Sequence, residues 1–237
     1  MRIRDITQSK ISLETVTWAK EELVRSGASA LPFVGSLKNS SQNSIFVSKV
    51  RELLGLPIDW FSQSKNPDDS FRYIRSRISD AGVIVMMNGI VGNNTHRPLA
   101  IDEFRAFALV DNYAPLVFIN SNDSTSGRLF SLLHELVHIL MGKNNFYNDR
   151  YSAHGQINPA ETICNAVAAE ILVPDVLFVS KWNETVAQSD AEATIASLAK
   201  FFKCGMTVIA RKALGQPILG KRPQLITNII KYLLINN

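Results

Sequence analysis

From Leu13 to Arg25 the apolar residues Leu13, Val16, Trp18, Leu23 and Val24 recur at intervals that suit one face of a helix, and Gly27 ends the run. Residues 35–44 are rich in Ser, Asn and Gly and read as a loop or linker. Helical spacing resumes from Ile45 to Leu54 until Gly55-Leu56-Pro57 stops it. Phe71 to Ala81 predicts a third helix, carrying Arg72, Arg75 and Arg77.

The pattern then changes. Gly82 to Met87, Phe104 to Val110 and Leu116 to Asn120 are short runs rich in β-formers, and each predicts a strand. Asp111-Asn112-Tyr113-Ala114-Pro115 has turn chemistry, so the last two strands should form a hairpin. Helical patterning returns from Ser126 onward. Helices, a small antiparallel sheet and then more helices describe an α+β architecture rather than alternating βαβ units. The expected organisation is a helical region over residues 1–70, a core over 71–180 and a basic helical subdomain over 181–237.

Composition narrows the class. A chain of 237 residues with 46% hydrophobic content can bury a full core. Its net charge is only +4, yet no acidic residue follows Glu192, while Lys200, Lys203, Arg211, Lys212, Lys221, Arg222 and Lys231 do. Such a stretch suits a solvated helical surface or a contact with nucleic acid. Cys164 and Cys204 are too few for a disulfide framework, which favours a reducing compartment. The start, Met1 to Asp5, lacks the apolar segment of a signal peptide, and no apolar run approaches the ~20 residues that span a bilayer. The expectation is a cytoplasmic protein without membrane contact.

The chemistry concentrates in His134-Glu135-Leu136-Val137-His138, set in an apolar helical run with Leu129, Leu133 and Leu140. Positions i and i+4 share a helix face, so His134 and His138 can chelate one ion. Two imidazoles suit Zn²⁺, and Glu135 is then placed to take a proton from the attacking water. A catalytic zinc needs a third protein ligand, for which His154, Glu161, Glu170 and Asp175 are the downstream candidates. Asn158-Pro159 opens a helix that Pro174 closes. Glu161, Asn165 and Ala168 lie along one face of it, and its small residues permit close approach to the histidine helix. Glu170, nine residues on from Glu161, points roughly 180° away. Glu161 is preferred, with His154 the other residue placed to reach the metal first. The Phe104–Val110 strand offers an edge along which a peptide substrate can lie, or it completes the core.

His134-Glu135-Leu136-Val137-His138, followed by Glu161-x-x-Cys164-Asn165-x-x-Ala168-Ala169-x-Ile171-Leu172-Val173-Pro174, resembles the ImmA/IrrE family of metallopeptidases. The hairpin strands, with Phe104-Arg105-Ala106-Phe107 and Pro115 to Asn120, resemble that family's strand region, so the likeness covers roughly residues 70–180. Cys164 stands where the pattern has Ala, Val167 where it has an aromatic and Val173 where it has Met; these read as packing positions. The resemblance implies a zincin-like intracellular endopeptidase of the gluzincin type, with Glu161 as third ligand. Its implied substrates are phage-type repressors and related stress-response regulators. Many members carry a repressor-type DNA-binding domain, and the first 70 residues show no version of it.

Lesser assignments complete the reading. Asn165 is placed to orient Glu161 or His134, or simply to pack. An oxyanion donor is sought in the loop between the two metal-bearing helices, among Tyr147, Tyr151 and His154, with His154 the first choice. His96 reads as surface loop. Ala193 to Leu214 has helix-turn-helix spacing around Gly205, a pattern also common in plain helical packing. Leu225 to Ile235 suits a closing helix or an oligomer contact. Against the endopeptidase stands a different class, a regulator or toxin–antitoxin component that acts by binding and uses zinc structurally.

Overall fold

The computed structural model describes residues 3–92, 94–144, 158–186 and 191–215. Helices α1 (Ile3–Arg25), α2 (Asn43–Leu54) and α3 (Pro67–Asp80) precede five strands: β1 (Ile84–Asn88), β2 (Ile90–Val91), β3 (Asn94–Pro98), β4 (Ala106–Leu109) and β5 (Leu116–Asn120). Helices α4 (Thr125–Met141), α5 (Pro159–Leu172), α6 (Asp175–Val186), α7 (Ala191–Phe202) and α8 (Met206–Gly215) follow. The fold is α+β.

The three-stranded sheet has the order β1-β5-β4. β4 and β5 form the expected antiparallel hairpin, with Phe107 opposite Phe118 and their rings stacked 5.0 Å apart. β1 pairs with β5 in parallel, Ile84 opposite Leu116, so the sheet is mixed rather than antiparallel. The central position of β5 explains its unbroken apolar run. Val117 and Ile119 join the main core against the helices, while Leu116 and Phe118 join a second cluster with Val91, Leu99, Phe104, Phe107 and Val16 of α1. A strand buried on both faces loses the apolar–polar alternation of a half-exposed one. β2 and β3 form a separate two-stranded hairpin where His96 was expected in a surface loop, and His96 is exposed on β3.

α1 covers the outer face of the sheet, but not with the apolar face its sequence suggests. Only Val16 of the five apolar positions is buried; Trp18 is 68% exposed. The inward face is instead Ser12, Val16 and Ala19, small residues that let the helix lie close to the sheet. The main core runs from Phe46 and Val50 of α2 through Ile74 and Ile78 of α3 and Leu132 to Leu140 of α4, as far as Ile209 and Ala213 of α8.

The loop around residue 35 holds α4 in place. Gly35 and Leu37 donate backbone N–H groups to the carbonyls of Ile139 and Leu140, each at 2.9 Å, satisfying acceptors that the end of a helix leaves open. Gly142 ends α4 at φ 68°, and a Cβ there would sit 3.0 Å from the Cα of Gly35, so the turn and the close approach both demand glycine. At the other end Ser124 Oγ accepts the N–H of Gly127 at 3.1 Å.

Candidate metal centre

α4 is the central helix: every residue from Leu132 to Met141 is buried, including His134, Glu135 and His138. α5 packs against it, started by Asn158, whose side chain accepts the N–H of Ala160 at 3.0 Å, and by Pro159 in the first turn. Glu161, Cys164, Ala168 and Ile171, on the inward face of α5, are all buried.

This packing brings three sequence-predicted residues to one point. Nε2 of His134 and Nε2 of His138 are 3.2 Å apart. Glu161 Oε2 lies 3.2 Å from the first and Oε1 lies 3.1 Å from the second. Metal–ligand bonds of about 2.0–2.1 Å in tetrahedral array require ligand atoms ~3.3 Å apart, so this triangle fits an ion of zinc's size. Among the described residues, Nδ1 of His134 and Oε2 of Glu135 are buried polar atoms without a hydrogen-bonding partner, and they mark the same place as organised for something besides protein stability.

Electrostatics follow from the crowding. Burial works against ionisation of Glu161, but hydrogen bonds to His134 and His138 prevail and hold its carboxyl down at about 2. Burial also opposes charge on His134; the hydrogen bond its ring donates to Glu161 and the charges of Glu135 and Glu161 outweigh it and raise its pKa. For Glu135, burial dominates and lifts the carboxyl above its ordinary range, against the pull of the two histidines. Asn165, an exposed residue, also favours the protonated His134 ring by hydrogen bonding.

A fourth donor appears that the sequence reading treated as packing. The sulfur of Cys164, one turn beyond Glu161, and a ring nitrogen of each histidine all lie within 4.8 Å of one another. Its spacing of three residues from Glu161 was the available signal, since i and i+3 share a helix face.

The remaining candidates fall elsewhere. Glu170 accepts the N–H of Asp175 at 3.0 Å and pairs with Lys212, which also lies 3.1 Å from Asp175. Tyr147, Tyr151 and His154 lie outside the described residues, as do Lys221, Arg222, Lys231 and the 225–235 run. Helices α7 and α8 meet at 113°, an angle found in helix-turn-helix pairs. Lys212, however, is turned inward onto Glu170 and Asp175, with its side chain 8% exposed, and Ile195, Leu198, Ile209 and Ala210 fill the core. Among the described residues no single helix is long and apolar enough to cross a membrane.

A family model of the peptidase M78 group, described as the IrrE N-terminal-like domain, matches residues 91–214. That is more than half of the chain, and it takes in the strands from Val91, both ligand-bearing helices and the α7–α8 pair. The comparison with curated proteins gives no match.

Proposed function

Given that this chain belongs to the peptidase M78 metallopeptidase family, we propose that it is a zinc-dependent endopeptidase of intracellular regulatory proteins, with a DNA-bound repressor as the substrate class. The observation that carries the reading is the convergence of His134, His138 and Glu161 to within 3.1–3.2 Å of one another beside the buried Glu135. Two neutral nitrogens and one carboxylate are a donor set for catalytic zinc. When bound there, zinc would act as a Lewis acid on the scissile carbonyl and make water acidic near neutral pH.

The chain's own groups supply the rest. Glu135 takes the proton of the attacking water through its unpartnered Oε2 and passes it to the leaving amine. Burial raises its proton affinity, which strengthens it as a base. Glu161 holds both imidazoles in register, and Asn165 stands beside His134. β4 is an edge strand that pairs with no described strand on its outer side. The carbonyl of Arg105 bonds to Asn120 on β5, so by alternation Ala106 and Ala108 turn their backbone groups outward, where an extended peptide can pair. The next outward donor, the N–H of Val110, is taken by Asn144 Oδ1 at 2.6 Å, which ends the open edge. The substrate class rests on the family resemblance of the motifs alone.

The test is zinc analysis together with Glu135→Gln. The purified wild type should hold about one zinc per chain, and Glu135→Gln should keep the metal while losing cleavage of a co-expressed repressor. A variant that keeps both zinc and its cellular effect would favour the binding protein with structural zinc instead. Zinc content unchanged in His134→Ala or His138→Ala would refute the site.

A further inference from the structure

Metalloenzyme sites keep one position open for water, whereas sites with four protein donors are closed. Two overlapping donor sets share the histidines here. His134, His138 and Glu161 form the triangle described above, and the Cys164 sulfur stands within 4.8 Å of ring nitrogens of both histidines. We propose that Cys164 is a displaceable fourth donor to the metal, so that the centre closes as His–His–Glu–Cys in the absence of substrate. The inference rests on the metal-centre reading and adds a resting state to it.

Two observations support a ligand rather than a filler. A metal–sulfur bond of about 2.3 Å places the sulfur ~3.5 Å from tetrahedral nitrogen partners. The sulfur lies within 4.8 Å of one ring nitrogen of each histidine, at most about 1.3 Å beyond that separation. One staggered step about Cα–Cβ moves a cysteine sulfur by roughly 3 Å. Second, Cys164 and Glu161 lie one turn apart on the same buried face of α5, so the helix that delivers the third donor also delivers the fourth. Cys204 is also buried but belongs to the α7–α8 turn and joins no such cluster among the described residues, which makes it an internal control.

Closure is balanced. The Cys164 thiol proton passes to the Glu135 carboxylate, the sulfur–metal bond forms, and the bound water leaves. With the base protonated and the water gone, the site is silent. An incoming substrate carbonyl or water reverses the exchange. Sulfur also biases the choice of ion, since soft thiolate favours zinc over magnesium or calcium.

The experiment is cobalt(II) titration of the metal-free full chain, read by absorption. Cobalt in the site gives visible ligand-field bands, and a thiolate donor adds a near-ultraviolet charge-transfer band. The expected result is both features in the wild type and in Cys204→Ala, with the charge-transfer band alone lost in Cys164→Ala and in Cys164→Ser. Retained visible bands in those two variants report an intact site, so loss of folding cannot imitate the result. Visible bands without the sulfur band in the wild type would overturn the proposal and leave the His–His–Glu centre standing. Failure of the wild type to bind cobalt at all would overturn the centre itself.

Discussion

The indole N–H of Trp60 donates to the main-chain carbonyl of Ile171 at 2.9 Å, joining the segment before α3 to the last turn of the helix that carries Glu161. A carbonyl at a helix end has no partner within the helix, so Trp60 meets a need that α5 creates. Trp60 is 2% exposed and stacks on Tyr73 at 6.0 Å. Trp60→Phe keeps most of the packing and orphans the carbonyl, at a cost of about 1–3 kcal/mol. Trp60→Ala should cost about 3–5 kcal/mol through the cavity it leaves. Urea unfolding at fixed zinc measures both, and an unchanged midpoint for Trp60→Phe would remove the bond from the stability account.

Much of this arrangement was legible because it is local. The histidine helix, the β4–β5 hairpin and the helix from Pro159 each announce themselves by caps, turn residues or period. What escaped is decided at long range. The parallel pairing of Ile84 with Leu116 links residues separated by a hairpin and an edge strand, and no turn motif encodes it. Trp18 and Leu13 share the apolar spacing of α1 yet stay exposed, because the sheet accepts the small face instead. Lys212 looked like a solvated cation until Glu170 and Asp175, from α5 and α6, closed around it. Cys164 looked like a small packing residue, a reading that holds only while the position of the histidines is unknown.

The pairing of Glu170 sharpens the choice of third ligand. Glu161→Ala should weaken zinc binding by more than the roughly 10–100-fold typical of a residue that only orients a ligand. Glu170→Ala should leave zinc affinity nearly unchanged and instead release the inward-turned Lys212. Competition with a chromophoric chelator measures the affinities, and His154→Ala belongs beside them. Tight zinc binding surviving in Glu161→Ala would overturn the assignment.

Asp111 makes acid stability readable. Burial raises its pKa, but the bond from Lys20 at 2.7 Å and the N–H groups of Tyr113 and Ala114 outweigh it, leaving the carboxyl below its usual value. A folded-state pKa below the unfolded one contributes stability above about pH 4, and this is lost as pH falls through the folded value. Lys20→Ala should therefore lower Tm at neutral pH, with the gap to wild type closing as acid protonates Asp111. A gap that stays constant down to about pH 3 would assign the loss to something other than this pair.

Ala168 tests whether the approach of α5 to α4 sets the metal site. Seven residues beyond Glu161, it returns to nearly the same face at ~100° per residue, and it is fully buried in the main core. Ala168→Leu adds volume where α4 and α5 press together, and overpacking of this kind costs about 1–3 kcal/mol. The helix can accommodate the larger side chain only by backing away, which carries Glu161 out of the 3.1–3.2 Å triangle with His134 and His138. Zinc affinity should fall together with stability. Ala169→Leu, on the half-buried flank of α5, should spare the affinity. If Ala168→Leu loses stability but binds zinc as tightly as the wild type, the carboxylate reaches the histidines by side-chain freedom rather than by the closeness of the two helices.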